Sequence, residues 1–422
     1  MKSVTLESNA STICWQEKVI RKLFATMPEG GLRITSSSGE SKVYGKESAE
    51  VDAEIMLLDD AEFYRHCFAY GNIGLGESYI EGVWDTPDIK AVIAWFIRNI
   101  NAKMGGKASS AKLKYVNKLN VFNKLFHIAR ANTIRTSKKN ISEHYDLGND
   151  FYKLFLDKSM TYSSGYFSTP ETTLEQAQLI KYDKLCQKLR LSEGHEVLEI
   201  GCGWGGFACY AAQHYGCKVT GVTISEEQYQ YAKQRVLDEQ LDHLIDIRLQ
   251  DYREVEGQFD HIISIEMLEA VGDKFLDAYF YKCQSLLKPN GVLGLQVITV
   301  PDCRYAQLKR GVDFIQRHIF PGSLLISLGR VQEIMKKHGD LGIFEQEDMG
   351  LDYAKTLSHW YDNFNAKFEE VSQQGFDDLF IRKWNYYLKY CEAAFATRNI
   401  SVVQVIYTRP NNESHTLKRH AR

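Results

Sequence analysis

Ten residues, Val197-Leu198-Glu199-Ile200-Gly201-Cys202-Gly203-Trp204-Gly205-Gly206, constrain this chain more than any other stretch. An apolar run that meets glycines and then an alanine-rich stretch reads as a buried strand, a tight turn and a helix start. Glycines there allow unusual dihedrals and let a ligand approach the main chain closely. Glu199 narrows the ligand. A strand-end carboxylate attracts a cationic group and repels a pyrophosphate. S-adenosylmethionine (SAM), with its amino and sulfonium groups, meets that demand. Gly201, Gly203 and Gly206 also fit the dinucleotide fingerprint G-x-G-x-x-G. That fingerprint calls for an acidic residue about 20 positions on, at the tip of the next strand. The next strand, Lys218 to Val222, runs instead into Thr223-Ile224-Ser225.

Strands and helices alternate after this loop. Strands are expected at 196–200, 217–222, 244–249, 260–265 and 291–298, with helices up to 215 and over 225–238 and 273–287. An amphipathic helix near 327–338 and strands at 342–346 and 401–408 follow. The pattern predicts an α/β fold: a mostly parallel sheet with helices on both faces. A ligand would sit at the carboxyl ends of its strands. Residues 1–100 read as a smaller α+β region, with a strand at 54–58 and a glycine turn leading into a helix over 74–84. The 422 residues exceed one typical core. The expected division is an N-terminal domain at 1–105, a basic linker at 106–139, a catalytic domain at 140–410 and a flexible tail at 411–422.

Charge is uneven although the net is only −3. Residues 89–142 contain no Asp or Glu but carry Lys90, Arg98, Lys103, Lys107, Lys112, Lys114, Lys118, Lys124, Arg130, Arg135, Lys138 and Lys139. Tyr115, Leu119, Phe122 and Phe126 recur within it at helical spacing. A basic amphipathic helix suits an anionic lipid surface; a linker with merely solvated lysines fits the charge pattern equally well, and nucleic acid is set aside. No apolar run reaches membrane-spanning length, and no signal-peptide core is expected at the N-terminus. Nine cysteines without a C-x-x-C pair fit a reducing compartment and no metal site. The expectation is a cytoplasmic protein, peripheral on the inner membrane face.

Six stretches together resemble the cyclopropane fatty acid synthase family. They are GLGESYIEGVW at 74–84, NISEHYDLGNDFY at 140–152, VLEIGCGWGG at 197–206, GVTISEEQ at 221–228, HIFPGSLL at 318–325 and QVIYTR at 404–409. The resemblance implies a class I methyltransferase, Rossmann-like domain behind a small N-terminal lipid-handling domain. It implies methylene transfer from SAM to the cis double bond of an unsaturated phospholipid acyl chain, giving a cyclopropane fatty acid. Alternatives are a methyl- or methylene-branched product, simple methylation of another hydrophobic molecule, or a silent lipid-binding protein. The oligomeric state stays open, with a homodimer one option.

Roles follow by position. Glu199 with Gly201, Cys202, Gly203, Trp204, Gly205 and Gly206 would hold the methionine part of SAM. Thr223, Ser225 and Gln228 fall where the ribose belongs, although Ser225-x-x-Gln228 is also a helix capping box. Asp251, Tyr252 and Arg253 follow the third strand, beside the adenine. Tyr162 and Ser163 match a family pair that contacts the cofactor. Methyl addition to an alkene leaves a carbocation, which aromatic faces stabilise; Tyr162, Tyr166, Phe167, Tyr353, Trp360 and Tyr361 are the candidate rings.

Resembling proteins take the final proton with a bound bicarbonate, caged by a cysteine, a glutamate, a histidine, an isoleucine and a tyrosine. Here these positions are Ser164, Glu269, Gln296, Ile298 and Tyr353. A serine hydroxyl and a glutamine amide can still hydrogen-bond an oxyanion. Glu266 is an extra carboxylate. It either compensates for the missing histidine or belongs to the proton path; the plain alternative is a surface or capping glutamate. Cys391 aligns with a cysteine often marked as active in the family. A thiolate has no electrophilic carbon to attack before methyl transfer, so a sulfur lining a tunnel is the better physical reading.

Overall fold

The computed structural model describes residues 15–46, 50–105 and 147–415. The chain divides into two compact units, Met1–Leu119 and Asn120–Arg422.

The first unit is α+β. Helix α1 (Trp15–Ala25) precedes strands β1 (Gly31–Thr35), β2 (Ser41–Gly45) and β3 (Val51–Leu57), helices α2 (Asp60–Tyr70) and α3 (Asn72–Ile80), the short β4 (Trp84–Asp85) and helix α4 (Ile89–Gly105). The sheet order is β2-β1-β3-β4. Gly74 and Gly76 were expected in a turn, but they lie inside α3. A Cβ on Gly74 would stand 2.1 Å from the His66 carbonyl oxygen, so the glycine permits close packing of α3 on α2. The first part of the basic segment forms α4, with Arg98 exposed. Ile89, Val92, Ile93 and Trp95 of α4 are buried in this unit's core. Residues 106–142 of that segment, and the expected linker at 106–139, lie outside the described residues.

The second unit holds α5 (Asn149–Lys153), α6 (Leu174–Leu189), β5 (Glu196–Ile200), α7 (Gly206–Tyr215), β6 (Lys218–Thr223), α8 (Glu226–Asp238), β7 (Ile245–Leu249), β8 (Phe259–Ile265), α9 (Asp273–Leu286) and β9 (Leu287–Thr299). After two short helices, α10 (Asp302–Leu308) and α11 (Phe314–His318), come α12 (Leu328–His338), β10 (Gly342–Asp348), α13 (Gly350–Ala366), α14 (Phe368–Gln373), α15 (Asp378–Ala396) and β11 (Ser401–Thr408). Its seven strands run in the order β10-β11-β9-β8-β5-β6-β7. The five central and right-hand strands are parallel, while β11 pairs antiparallel with β9 and with β10.

Alternating strand residues build two cores. Leu198, Ile262 and Leu293 face α9 and α12 through Leu276, Phe280 and Ile334. Val197, Val219 and Ile263 face α6, α7 and α8 through Leu185, Ala208 and Val236. Helices therefore cover both faces, as parallel sheets require. The strand order reverses between β5 and β8, which opens a crevice at their carboxyl ends. The expected flexible tail begins with anchored residues: Asn412 donates to the Asn290 carbonyl at 2.9 Å, and His415 is buried. Among the described residues, no helix is long and apolar enough to cross a membrane.

Candidate active site

The crevice is built from strand ends. Gly201 leaves β5 at φ +83°, and a Cβ there would come within 2.7 Å of Met267 Cγ. Glu199, 3% exposed, has Oε2 without a hydrogen-bond partner. Burial pushes its carboxyl well above the usual range, against the pull of Lys181 and the Ala208 N–H. A buried carboxylate with one open oxygen beside a glycine turn is complementary to an amino group. The residues present thus fit SAM. Cys202 and Trp204 are buried beside it, and the Trp204 indole N–H donates to Asn149 Oδ1 at 2.6 Å.

Thr223, Ser225 and Gln228 hold one another. The Thr223 hydroxyl donates to Gln228 Oε1 at 2.9 Å, and Ser225 Oγ caps α8 by accepting from the Gln228 N–H at 3.4 Å. The expected capping box is only half closed, because the Gln228 side chain serves Thr223. Asp251 is buried and bound by the Arg253 guanidinium at 2.8 and 2.6 Å. Tyr252 lies beneath that guanidinium, 5.5 Å from its ring centroid.

The segment before α6 is clamped atom by atom. The Ser163 carbonyl accepts from Gln178 at 2.9 Å and its hydroxyl accepts from Lys181 Nζ at 2.8 Å. The Ser164 N–H donates to Glu266 Oε1 at 2.9 Å, and its carbonyl accepts from Gln296 at 3.3 Å. The Gly165 N–H donates to Thr356 at 3.0 Å. Tyr162 Oη meets Tyr387 Oη at 2.8 Å.

Glu266 follows β8 in the left-handed region, at φ +50°. A non-glycine residue held there marks a local constraint. Its Oε1 collects the Ser164 N–H and the Gln296 amide at 2.8 Å, and Tyr353 lies beside it. Burial still raises it above the usual carboxylate range. Glu269 differs. Its Oε1 accepts from the Ile298 N–H, and Oε2 has no partner. Burial first, and then the charge of Glu266, push Glu269 up to about 8.

Donors expected to hold bicarbonate have partners within the chain. The Gln296 amide is spent on Glu266 and Ser164, and the Ser164 hydroxyl donates to the Gly165 carbonyl at 2.9 Å. A second anion would also sit beside the Glu266 carboxylate. Of the expected bicarbonate ligands, Gln296 therefore grips a carboxylate of the chain itself, as does the backbone of Ser164.

Rings connect the glycine turn to these acids. Tyr152 lies 5.0 Å from Trp204 and 5.3 Å from Tyr162; Tyr162 lies 5.1 Å from Trp360, which lies 6.0 Å from Tyr353. The other expected rings serve elsewhere. Tyr166 faces Lys184, Phe167 stacks on His359 beneath Lys355, and Tyr361 carries Lys389. Cys391 is half-buried, and its thiol is pushed far above the usual range by burial and then by Asp313. Burial thus disfavours the thiolate there.

Four residues escaped sequence reasoning: Lys181, Gln178, Tyr152 and Tyr387. Lys181 is fully buried on the apolar stripe of α6, alongside Ala177, Tyr182 and Leu185. A lysine at a core position of an amphipathic helix was the available signal. Burial lowers its ammonium, against Glu266, Asp157 and Glu199.

The family pattern described as mycolic acid cyclopropane synthetase matches residues 132–405. The chain is 35% identical over 403 residues to the tuberculostearic acid methyltransferase UfaA1 of Mycobacterium tuberculosis, covering 94% of this chain and 91% of that protein. It is 36% identical over 361 residues to the cyclopropane-fatty-acyl-phospholipid synthase of Escherichia coli K12, covering 83% and 87%. The mycolic acid cyclopropane synthase CmaA1 complexed with SAH and CTAB superposes with a TM-score of 0.60 at 30% identity, over 64% of this chain and 98% of that one. Fold and site define a class I SAM-dependent methyltransferase. The chain belongs to the cyclopropane fatty acid synthase family.

Proposed function

We propose that this chain adds a methylene unit from SAM across the cis double bond of an unsaturated phospholipid acyl chain, with Glu266 as the base. Bound SAM supplies an activated methyl group, which a weakly nucleophilic alkene needs. Glu199 would take its amino group, and the turn from Gly201 to Gly206 would pass its methionine part. Tyr162, Trp360 and Tyr353 offer ring faces to the cation formed on the chain, each worth about 0.5–2 kcal/mol in a dry site. The same rings keep water from that cation. Glu266 then removes a proton from the added methyl carbon, and the freed C–H electron pair closes the three-membered ring.

One observation carries this reading: a carboxylate of the chain sits inside the donors that the family resemblance assigns to a bound base. Burial raises its proton affinity above that of an ordinary carboxylate, which strengthens it as a base. The test is incubation with SAM and monounsaturated phosphatidylglycerol vesicles, followed by chromatography of the acyl methyl esters. The expected product is a cyclopropane ester that Glu266→Gln does not form; wild-type product formation surviving in Glu266→Gln would remove Glu266 from the role.

A second reading has a specific support. With the base fixed just after β8, a 1,2-hydride shift can first move the cation onto the carbon that bears the added methyl group; loss of a methyl proton then leaves an exocyclic double bond instead of closing the ring. The product would then be a methylene-branched chain of equal mass, which chromatography separates. For delivery, the basic residues beyond α4 remain the proposed docking face at an anionic membrane surface, on the ground of charge.

A further inference from the structure

Three polar side chains form a row beside the site, and only the innermost, Gln296, touches Glu266. Gln296 on β9 and Gln404 on β11 are cross-strand partners, and Glu347 on β10 is the next partner in the same row. Gln296 and Gln404 are 1% and 0% exposed. Lys188, on α6, lies over this row with a side chain only 8% exposed. Apolar residues would fill such positions at less desolvation cost, so the polarity of the row calls for a reason.

The bonds run in one direction. Lys188 Nζ donates to Gln404 Oε1 at 2.8 Å; Gln404 Nε2 donates to Gln296 Oε1 at 3.1 Å; Gln296 Nε2 donates to Glu266 Oε1 at 2.8 Å. An ammonium has no acceptor. It therefore forces the Gln404 oxygen toward itself, and the Gln404 nitrogen toward Gln296. Gln296 must answer with its own oxygen, leaving its N–H2 for Glu266. Both amide orientations follow from the lysine, and hydrogen bonds in such a chain reinforce one another.

We propose that Lys188 and Gln404 are positioning residues for the base: they fix the Gln296 amide as a donor to Glu266 and so hold that carboxylate in its ionised, proton-accepting form. The inference rests on Glu266 being the base. Other groups facing Glu266 are Lys181 from α6, Glu269 from the turn after β8, and Tyr353 from α13. Lys188 itself is faced by Glu347, Glu345 and Lys184. Against the push of its own burial, hydrogen bonds from Lys188 and Lys184 keep Glu347 below the usual range, which keeps the row charged at its outer end.

The experiment is the pH dependence of turnover of the full chain on SAM and monounsaturated phosphatidylglycerol vesicles, with Lys188→Met, Lys188→Arg and Gln404→Met. Turnover should fall on the acid side as Glu266 takes up a proton. In Lys188→Met and Gln404→Met this acidic limb should move up by about one pH unit, a tenfold loss below it. The alkaline plateau and the KM for SAM should change less than threefold, and Lys188→Arg, also donor-only, should restore the limb. Melting temperature and adenosylhomocysteine binding check folding. Limbs in both variants that overlay the wild type would overturn the inference, whatever the change in melting temperature; should either variant not fold, the limb of Lys188→Gln decides in its place. Glu266→Gln separates the two claims. Normal turnover in it overturns the base itself, whereas an inactive Glu266→Gln with unmoved limbs overturns only the roles of Lys188 and Gln404.

Discussion

The two ends of the site handle buried charge in opposite ways. At the cofactor end, Glu199 keeps one oxygen open, and its burial drives it toward the neutral form. At the end proposed for the base, burial also raises Glu266, but its Oε1 already receives the Ser164 N–H and the Gln296 amide. An open carboxylate awaits a cation that arrives with a ligand. One that already holds donors sets the chain's own support against the push of burial. Glu269, three residues from Glu266, shows what happens without that support: with one donor it rises to about 8.

The comparison breaks most sharply at Glu266. Glu266→Gln should lower turnover about 10²–10⁴-fold, the usual worth of a general base, while adenosylhomocysteine binding by calorimetry stays near wild type. Equal losses in both would mean that the two ends are not separate. Glu199→Gln should do the reverse. Losing a charge-assisted hydrogen bond worth about 1.5–3 kcal/mol should weaken SAM about 10- to 150-fold, with turnover at saturating SAM changed much less.

Glu269 sharpens the contrast through stability. Unfolded, its proton leaves near 4.5; folded, near 8. The unfolded chain thus binds fewer protons in this window, and the wild type should lose stability as pH rises from 4.5 to 8, by up to about 1.4 kcal/mol per unit. Denaturation of Glu269→Gln across that window should lack this slope; parallel curves would show that Glu269 is not held neutral. The smallest effect expected is at the membrane. Binding to anionic vesicles should weaken as salt rises, and salt-independent binding would leave the basic segment without a docking role.

The sheet was legible because its signals are local: a glycine turn after an apolar run, and strands and helices in alternation. The cofactor end was legible for the same reason, since Glu199 and its glycines are consecutive. The base end was only half legible. Glu266 stood out as an extra acid, but its donors come from β9 and the segment before α6, and only the fold assembles them. Lys188, Gln404 and Gln296 meet through strand register and a helix crossing, which composition does not reveal. Tyr166, Phe167 and Tyr361 were aromatic in the right stretches, yet lysines hold them elsewhere. Gly74 read as a turn because helix–helix contact, its actual reason, is not a local signal.

The central claim is that the chain supplies its own base. The direct measurement is the rate of acyl-chain modification by the wild type in buffer stripped of carbon dioxide, with bicarbonate then added back. The account predicts the same rate throughout, within about twofold. A rate that collapses on stripping and returns with bicarbonate would contradict it.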